Sequence, residues 1–137
     1  MRTLILILCF FSTISLFGAN NIFSSKHFIK DVTELVNTYY PHHHMKQSVT
    51  YNEQLGVITR YKITFDSGTL IVYNKCGKII LFECYENDFV PDVVLPKKIR
   101  KYLKKEYLGI NVIKYYADYS KKEYIVVLEN DLSITFN

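Results

Sequence analysis

The chain has no tryptophan, three prolines, five glycines and three cysteines among its 137 residues. So little glycine and proline excludes collagen-like and low-complexity readings and leaves an ordinary packed domain. No glycine-rich phosphate loop, paired-cysteine zinc pattern or serine-nucleophile elbow occurs, so nucleotide, zinc-ribbon and serine-hydrolase chemistry have no motif to rest on. A net charge of +4 falls short of the dense basic footprint that nucleic-acid binding needs. The longest hydrophobic run, residues 4–17, is broken by Ser12, Thr13 and Ser15. It is short for a membrane span, which takes roughly 20 apolar residues.

That run has a second reading. Arg2 precedes it, and small Gly18 and Ala19 followed by polar Asn20 and Asn21 close it. Positive start, apolar core and small residues form the order of a secretory signal peptide. Residues 1–19 are therefore expected to be removed, leaving residues 20–137 as one domain in the periplasm or outside the cell, with no stable membrane insertion. Cys9 follows bulky Leu8 and does not read as a lipid-anchor site. Cys76 and Cys84 flank a stretch that reads as a strand, which would hold them roughly 26 Å apart. Bridged Cα atoms lie within about 7 Å, so no bridge between the two is expected.

Aromatic residues are plentiful, with 12 Tyr and 9 Phe, and they fall in a repeat. Residues 61–74, YKITFDSGTLIVYN, match residues 124–137, YIVVLENDLSITFN, at an offset of 63. Each reads as a β-hairpin: an alternating run, a polar turn, a second alternating run and a closing Asn. Upstream, Phe28, Val32, Leu35, Val36 and Tyr39 mark one face of a helix over 26–40, capped by Ser24 or Ser25 and stopped by Pro41. Leu95, Ile99, Tyr102, Leu103, Tyr107 and Ile110 mark a second helix, with Pro96 at its start and Gly109 at its stop. Val32, Leu35, Val36 and Tyr40 map onto Ile99, Tyr102, Leu103 and Tyr107 at an offset of 67. Further strands are expected near 46–53, 57–66, 79–84 and 110–118, with a turn at Leu55-Gly56. The fold class implied is α+β: an antiparallel sheet of about seven strands from two tandem helix-plus-strands repeats, about 24–84 and 95–137, with both helices on one face. A two-residue turn at Ser67-Gly68 would set Ile63 beside Val72 and Phe65 beside Leu70. A three-residue turn, Glu129 to Asp131, would gather Tyr124, Val126, Leu128, Leu132, Ile134 and Phe136. The two registers differ by one residue, which exchanges faces.

The leader, the two helix-then-hairpin units, the Leu95-Pro96 opening and the closing Tyr124, Val126, Leu128 and Phe136 resemble the PepSY-like, β-lactamase-inhibitor-like (BLIP-like) proteins that Gram-negative bacteria secrete to the periplasm. The resemblance implies an envelope protein with no catalytic signature. It also implies a role in restraining or chaperoning another envelope protein or a peptidase through a concave sheet.

The candidate chemistry is sparse. His42, His43 and His44 could hold zinc or copper loosely if His27, Glu53 or Asp66 completed the set. Consecutive residues point apart, so no metal or other cofactor is assigned. Cys76 or Cys84 with a histidine could form a thiol nucleophile, but no local signature supports a hydrolase. The lysine-rich second helix could touch an anionic surface, or simply solvate its outer side. Tyrosine brings rigid area with a polar tip to interfaces, so Tyr51, Tyr73, Tyr115, Tyr116 and Tyr119 are the candidate partner-binding residues. The reading is a non-enzymatic envelope binding protein that uses the sheet face away from the helices.

Overall fold

A computed structural model of the protein describes residues 3–9, 22–52, 54 and 57–137, with backbone alone at 3–9, 51, 52 and 57. It is an α+β fold of two helices and an open antiparallel sheet whose strands neighbour one another in chain order. Among the described residues the elements are β1 (Thr3–Cys9), α1 (Lys26–Tyr39), β2 (Met45–Asn52), β3 (Val57–Phe65), β4 (Leu70–Asn74), β5 (Ile79–Glu83), α2 (Lys97–Glu106), β6 (Val112–Asp118), β7 (Glu123–Leu128) and β8 (Ser133–Phe136). Strands β2 to β8 are the seven that the alternation implied. Strand β1 comes from the run read as a leader, and residues 10–19 of that leader lie outside the described residues, as does the Leu55-Gly56 turn. No described helix is long and apolar enough to cross a membrane.

The chain divides into two compact units. One holds Met1–Asp66 with Val72–Lys78, the other Ser67–Ile71 with Ile79–Asn137. Strand β5, which sequence assigned to the first repeat, thus falls in the second unit.

In the first unit, the Ser25 side chain accepts the Phe28 N–H at 3.1 Å and starts α1. Phe28, Val32 and Val36 form the buried stripe of the helix. Phe28 meets Tyr61 and Tyr73 edge-on, at 5.3 and 5.1 Å between ring centroids. This places α1 on the face of β3 that carries Tyr61, Ile63 and Phe65, all buried. Such ring pairs add about 0.5–1.5 kcal/mol beyond the area they bury. A bulge at Thr59 lets Thr50 pair with Arg60 and Tyr51 with Ile58. The extra residue is why both Ile58 and Tyr61, three apart, reach the interior. The Tyr61 hydroxyl donates to the buried Gln47 side chain, which gives both polar groups a partner.

The second unit repeats this plan. Ile99 and Leu103 are the buried stripe of α2, in the places of Val32 and Val36. Tyr102 meets Phe136 edge-on at 5.4 Å, and Phe136 stands opposite Tyr124. The helix ends agree closely. Tyr40 closes α1 at φ −133°, ψ 46°, with its N–H on Val36 O. Tyr107 closes α2 at φ −135°, ψ 42°, with its N–H on Leu103 O. The second helix therefore stops at Glu106, before the expected Gly109, which takes φ 83° in the following turn.

The hairpin registers are settled by the turns. Leu128 N–H bonds to Leu132 O, and Asp131 takes φ 64°, so the second turn has three residues as expected. Gly68, 63 residues earlier, takes φ 91° in the matching position. The first turn therefore also has three residues, and the two-residue expectation is corrected. Ile71 and Tyr73 are the buried residues of β4, while Leu70 and Val72 are half-buried. Each hairpin thus buries the residues at matching positions of its own register, and the apparent clash of registers disappears.

Candidate functional site

Alternation fixes what each unit turns away from its helix. In the second unit Tyr124, Val126 and Leu128 face α2, so Ile125 and Val127 face the other way. Residues opposite one another in an antiparallel pair share a face. One outward row is therefore Leu81, Tyr116, Ile125 and Thr135. The next is Glu83, Lys114, Val127 and Ser133, with Lys114 Nζ 3.8 Å from Glu83 Oε2. Tyr116 is 39 % exposed, and Leu81, Ile125 and Val127 are half-buried.

This face runs into a groove of about 550 Å³ lined by Glu83, Tyr85, Phe89, Lys114, Val127 and Glu129, among others. Tyr85 and Phe89 are exposed hydrophobic side chains. Ile113 is also among the groove's lining residues, at the bulge between Val112 and Lys114. Cys84 N–H bonds to Ile113 O at 2.8 Å, and Val90 N–H bonds to Val112 O at 2.8 Å. Its wall, the loop after β5, is pinned by Asp88. One carboxylate oxygen of Asp88 accepts from Ser67 and Thr69 hydroxyls, each at 2.6 Å. The Thr69 Oγ1 in turn accepts the Tyr85 N–H at 3.0 Å. Thr69 is wholly buried and Asp88 half-buried, and bonds to a charged carboxylate are stronger than neutral ones, so this network fixes the loop. The Tyr85 hydroxyl donates to Glu83 Oε1 at 2.6 Å, and that bond to a carboxylate raises the phenol above its usual range.

Of the tyrosines proposed from sequence, Tyr116 is the one that stands on this outward face. Tyr73 is 5 % exposed and Tyr115 1 % exposed, both on the helix side, where burial pushes their phenols up. Their strand positions alternate with outward residues, so they pack the core and are withdrawn as contact residues. Tyr119 is half-buried; its hydroxyl donates to Ile79 O at 2.9 Å and its ring meets Tyr124 edge-on. It ties the β6–β7 turn to β5. Tyr51 stands opposite Ile58 in the register, and its side chain lies outside the described ones. Leu81, Ile125, Val127 and Phe89 were not singled out from sequence. A signal for two of them existed: Tyr124 to Leu128 is apolar at every position, which marks a strand apolar on both faces.

The histidines do not gather. His43 Nδ1 lies 2.6 Å from Asp66 Oδ1, and its ring packs beside Tyr40 and Phe65. Among the described residues no three of His, Cys, Asp and Glu come together as a metal site. Cys76 is exposed and Cys84 half-buried, and they are not bonded to each other. Lys97, Lys98, Lys101, Lys104 and Lys105 of α2 are exposed. The outward face of the first unit carries Lys46, Ser48 and Thr50 opposite Thr64, Lys62 and Arg60.

No protein-family profile and no curated protein matches the chain. Solved structures do. One, a Bacteroides vulgatus protein assigned to the periplasm and to the DUF2874 family, is 24% identical, with a TM-score of 0.61 over 76% of this chain and 78% of that one. A Bacteroides thetaiotaomicron protein, described as calcium-regulated and periplasmic, is 21% identical, with a TM-score of 0.60 over 77% and 79%. A third, of unknown function and also assigned to the periplasm of Bacteroides vulgatus, is 18% identical with a TM-score of 0.61 over 99% and 92%. At these identities the likeness shows a shared fold.

Proposed function

We propose that the chain is a non-catalytic binding protein of the bacterial envelope that docks another protein on the outward face of β5 to β8. An inhibitor or chaperone of an envelope protein or peptidase, as in the PepSY-like and BLIP-like proteins, is the role this reading favours. The observation that carries it is the row Leu81, Tyr116 and Ile125, apolar side chains in register on a face that no helix of that unit covers. Aromatic and aliphatic anchors beside a rim of charge form the usual anatomy of a docking surface. Glu83, Lys114 and Glu129 supply that rim. Export is supported by the order of residues 2–21 and by the periplasmic assignment of the structural neighbours.

The test is recovery of a partner from envelope extracts with wild-type protein and with Tyr116→Lys, an exposed position where the change spares the core. The expected result is one stable partner lost by more than tenfold in the variant, since hot-spot truncations cost about 2 kcal/mol or more. Equal recovery by both proteins would contradict it. A second reading, an anionic envelope surface as the ligand, is favoured by the five exposed lysines of α2. It predicts flotation with anionic vesicles that salt abolishes.

A further inference from the structure

The edge of the first unit carries a second feature. Strand β1 lies antiparallel along β2 from Asn52 to Lys46, with Thr3 opposite Asn52, Leu6 opposite Val49 and Cys9 opposite Lys46. The strand seated there is Thr-Leu-Ile-Leu-Ile-Leu-Cys, part of the leader whose removal was inferred above. Once it departs, β2 becomes the edge of the sheet, and its row of backbone N–H and C=O groups loses its partners.

Proteins blunt such edges with short strands, proline or several charges. The opposite edge, β8, is four residues long. Strand β2 is eight residues long, contains no proline, and has Lys46 as its single charge. The bulge of this pair sits at Thr59 on β3, not on the edge strand itself. Nothing in β2 therefore discourages another strand from joining.

We infer that the mature protein uses the β2 edge as an acceptor for an extended apolar segment of about seven residues from another polypeptide, added antiparallel as the leader is. Main-chain hydrogen bonds supply the affinity, so the segment needs apolar character and an extended shape rather than one sequence. The site is separate from the face of β5 to β8, and it rests on leader removal rather than on that docking reading.

The full chain would be expressed and the protein recovered from the periplasm, with its first residue read by mass spectrometry. The probe is a fluorescein-labelled peptide of residues 3–9, with Cys9→Ser and a lysine pair at each end. Two variants are N-methylated, one at positions 4, 6 and 8, the other at 3, 5 and 7. Alternate residues of an added strand point their N–H groups at the sheet. One methylated set should weaken binding about tenfold or more and the other within about twofold, given the worth of each lost bond. Tyr116→Lys protein should bind the probe as wild type does. Equal loss for both sets, no binding, recovered protein that still begins at Met1, or a dimer that the peptide does not dissociate would each overturn the inference.

Discussion

Strands β2 and β3 and strands β6 and β7 hold equivalent places in the two copies of the repeat, yet they look outward with different chemistry. The first pair turns out Lys46, Ser48, Thr50, Arg60, Lys62 and Thr64. The second turns out Lys114, Tyr116, Ile125 and Val127. Inward, the copies agree: Ile63 and Val126 are both fully buried, as are Phe65 and Leu128 within a few per cent. A duplicated unit needs its interior kept, because packing tolerates little change in volume. Its outer face is released from that demand. The divergence outward therefore marks where function was free to settle, and the apolar copy is the one to which the proposed function assigns docking.

The largest expected difference between the halves is in the helix anchors. Phe28→Ala removes a buried ring that touches Phe23, Tyr61 and Tyr73 and should cost about 3–5 kcal/mol. Phe136→Ala, in the place of Tyr73 and only half-buried, should cost about 1–2 kcal/mol on the smaller area removed from water. Urea denaturation of both variants measures this. Equal losses would mean that the two interiors are not the unequal copies described.

A middle-sized effect separates Thr69 from its counterpart Leu132, 63 residues on. Thr69→Val keeps the shape but strips a donor from Asp88 and an acceptor from the Tyr85 N–H. It should cost about 1–3 kcal/mol, the usual penalty for buried groups left unpaired. Leu132 is 39 % exposed, so Leu132→Thr should change stability by under about 0.5 kcal/mol. The same denaturation curves decide. A neutral Thr69→Val would sink the claim that this network holds the groove wall.

Smaller still is the exchange at the turns. Gly68→Ala places a side chain at φ 91°, where an L-residue is strained, and should cost about 1 kcal/mol. Asp131→Gly relieves φ 64° and should gain a few tenths, roughly the αL penalty less the extra freedom of glycine in the unfolded chain. Opposite signs at the two sites, read as midpoint shifts, are the signature of matching turns with different residues.

The smallest effect is one of pH. Asp118 heads the β6–β7 turn and accepts from the Ser120 hydroxyl at 2.5 Å and from the Ser120 and Lys121 N–H groups. The Ser120 bond first, then that of Lys121, holds its carboxyl below the usual range. A folded pKa below the unfolded one means that its stabilisation is complete above the unfolded value and lost as pH falls through the folded one. Asp118→Asn should therefore be less stable than wild type at neutral pH, with the gap closing in acid. A gap that persists in acid would assign its role to something other than the charge.

Much of this architecture was legible in the chain. The offset of 63 between residues 61–74 and 124–137 located both hairpins, and the apolar stripes at 28, 32, 36 and at 99, 103 located both helices. What misled was local. Ser67-Gly68 satisfies a two-residue turn as readily as a three-residue one, and the choice is made by which face of β4 meets Phe28 and Tyr61. That is a tertiary fact, and it moved Tyr73 into the core. The site was less legible, since tyrosine suits both faces of a strand and composition alone could not divide Tyr115 from Tyr116. The unbroken apolar run at 124–128 did carry the information. The groove was beyond reach, because it depends on Asp88 joining Ser67 and Thr69 across 19 to 21 residues.

The contrast between the two outward faces is tested most directly by photo-crosslinking in the living cell. A photoreactive residue would be placed at position 116 in one strain and at position 62, its opposite number in chemistry, in another. Both are exposed strand positions pointing away from a helix. The expected result is one discrete adduct to a second protein from position 116 and none from position 62. Adducts of equal yield from both positions, or from position 62 alone, would contradict it.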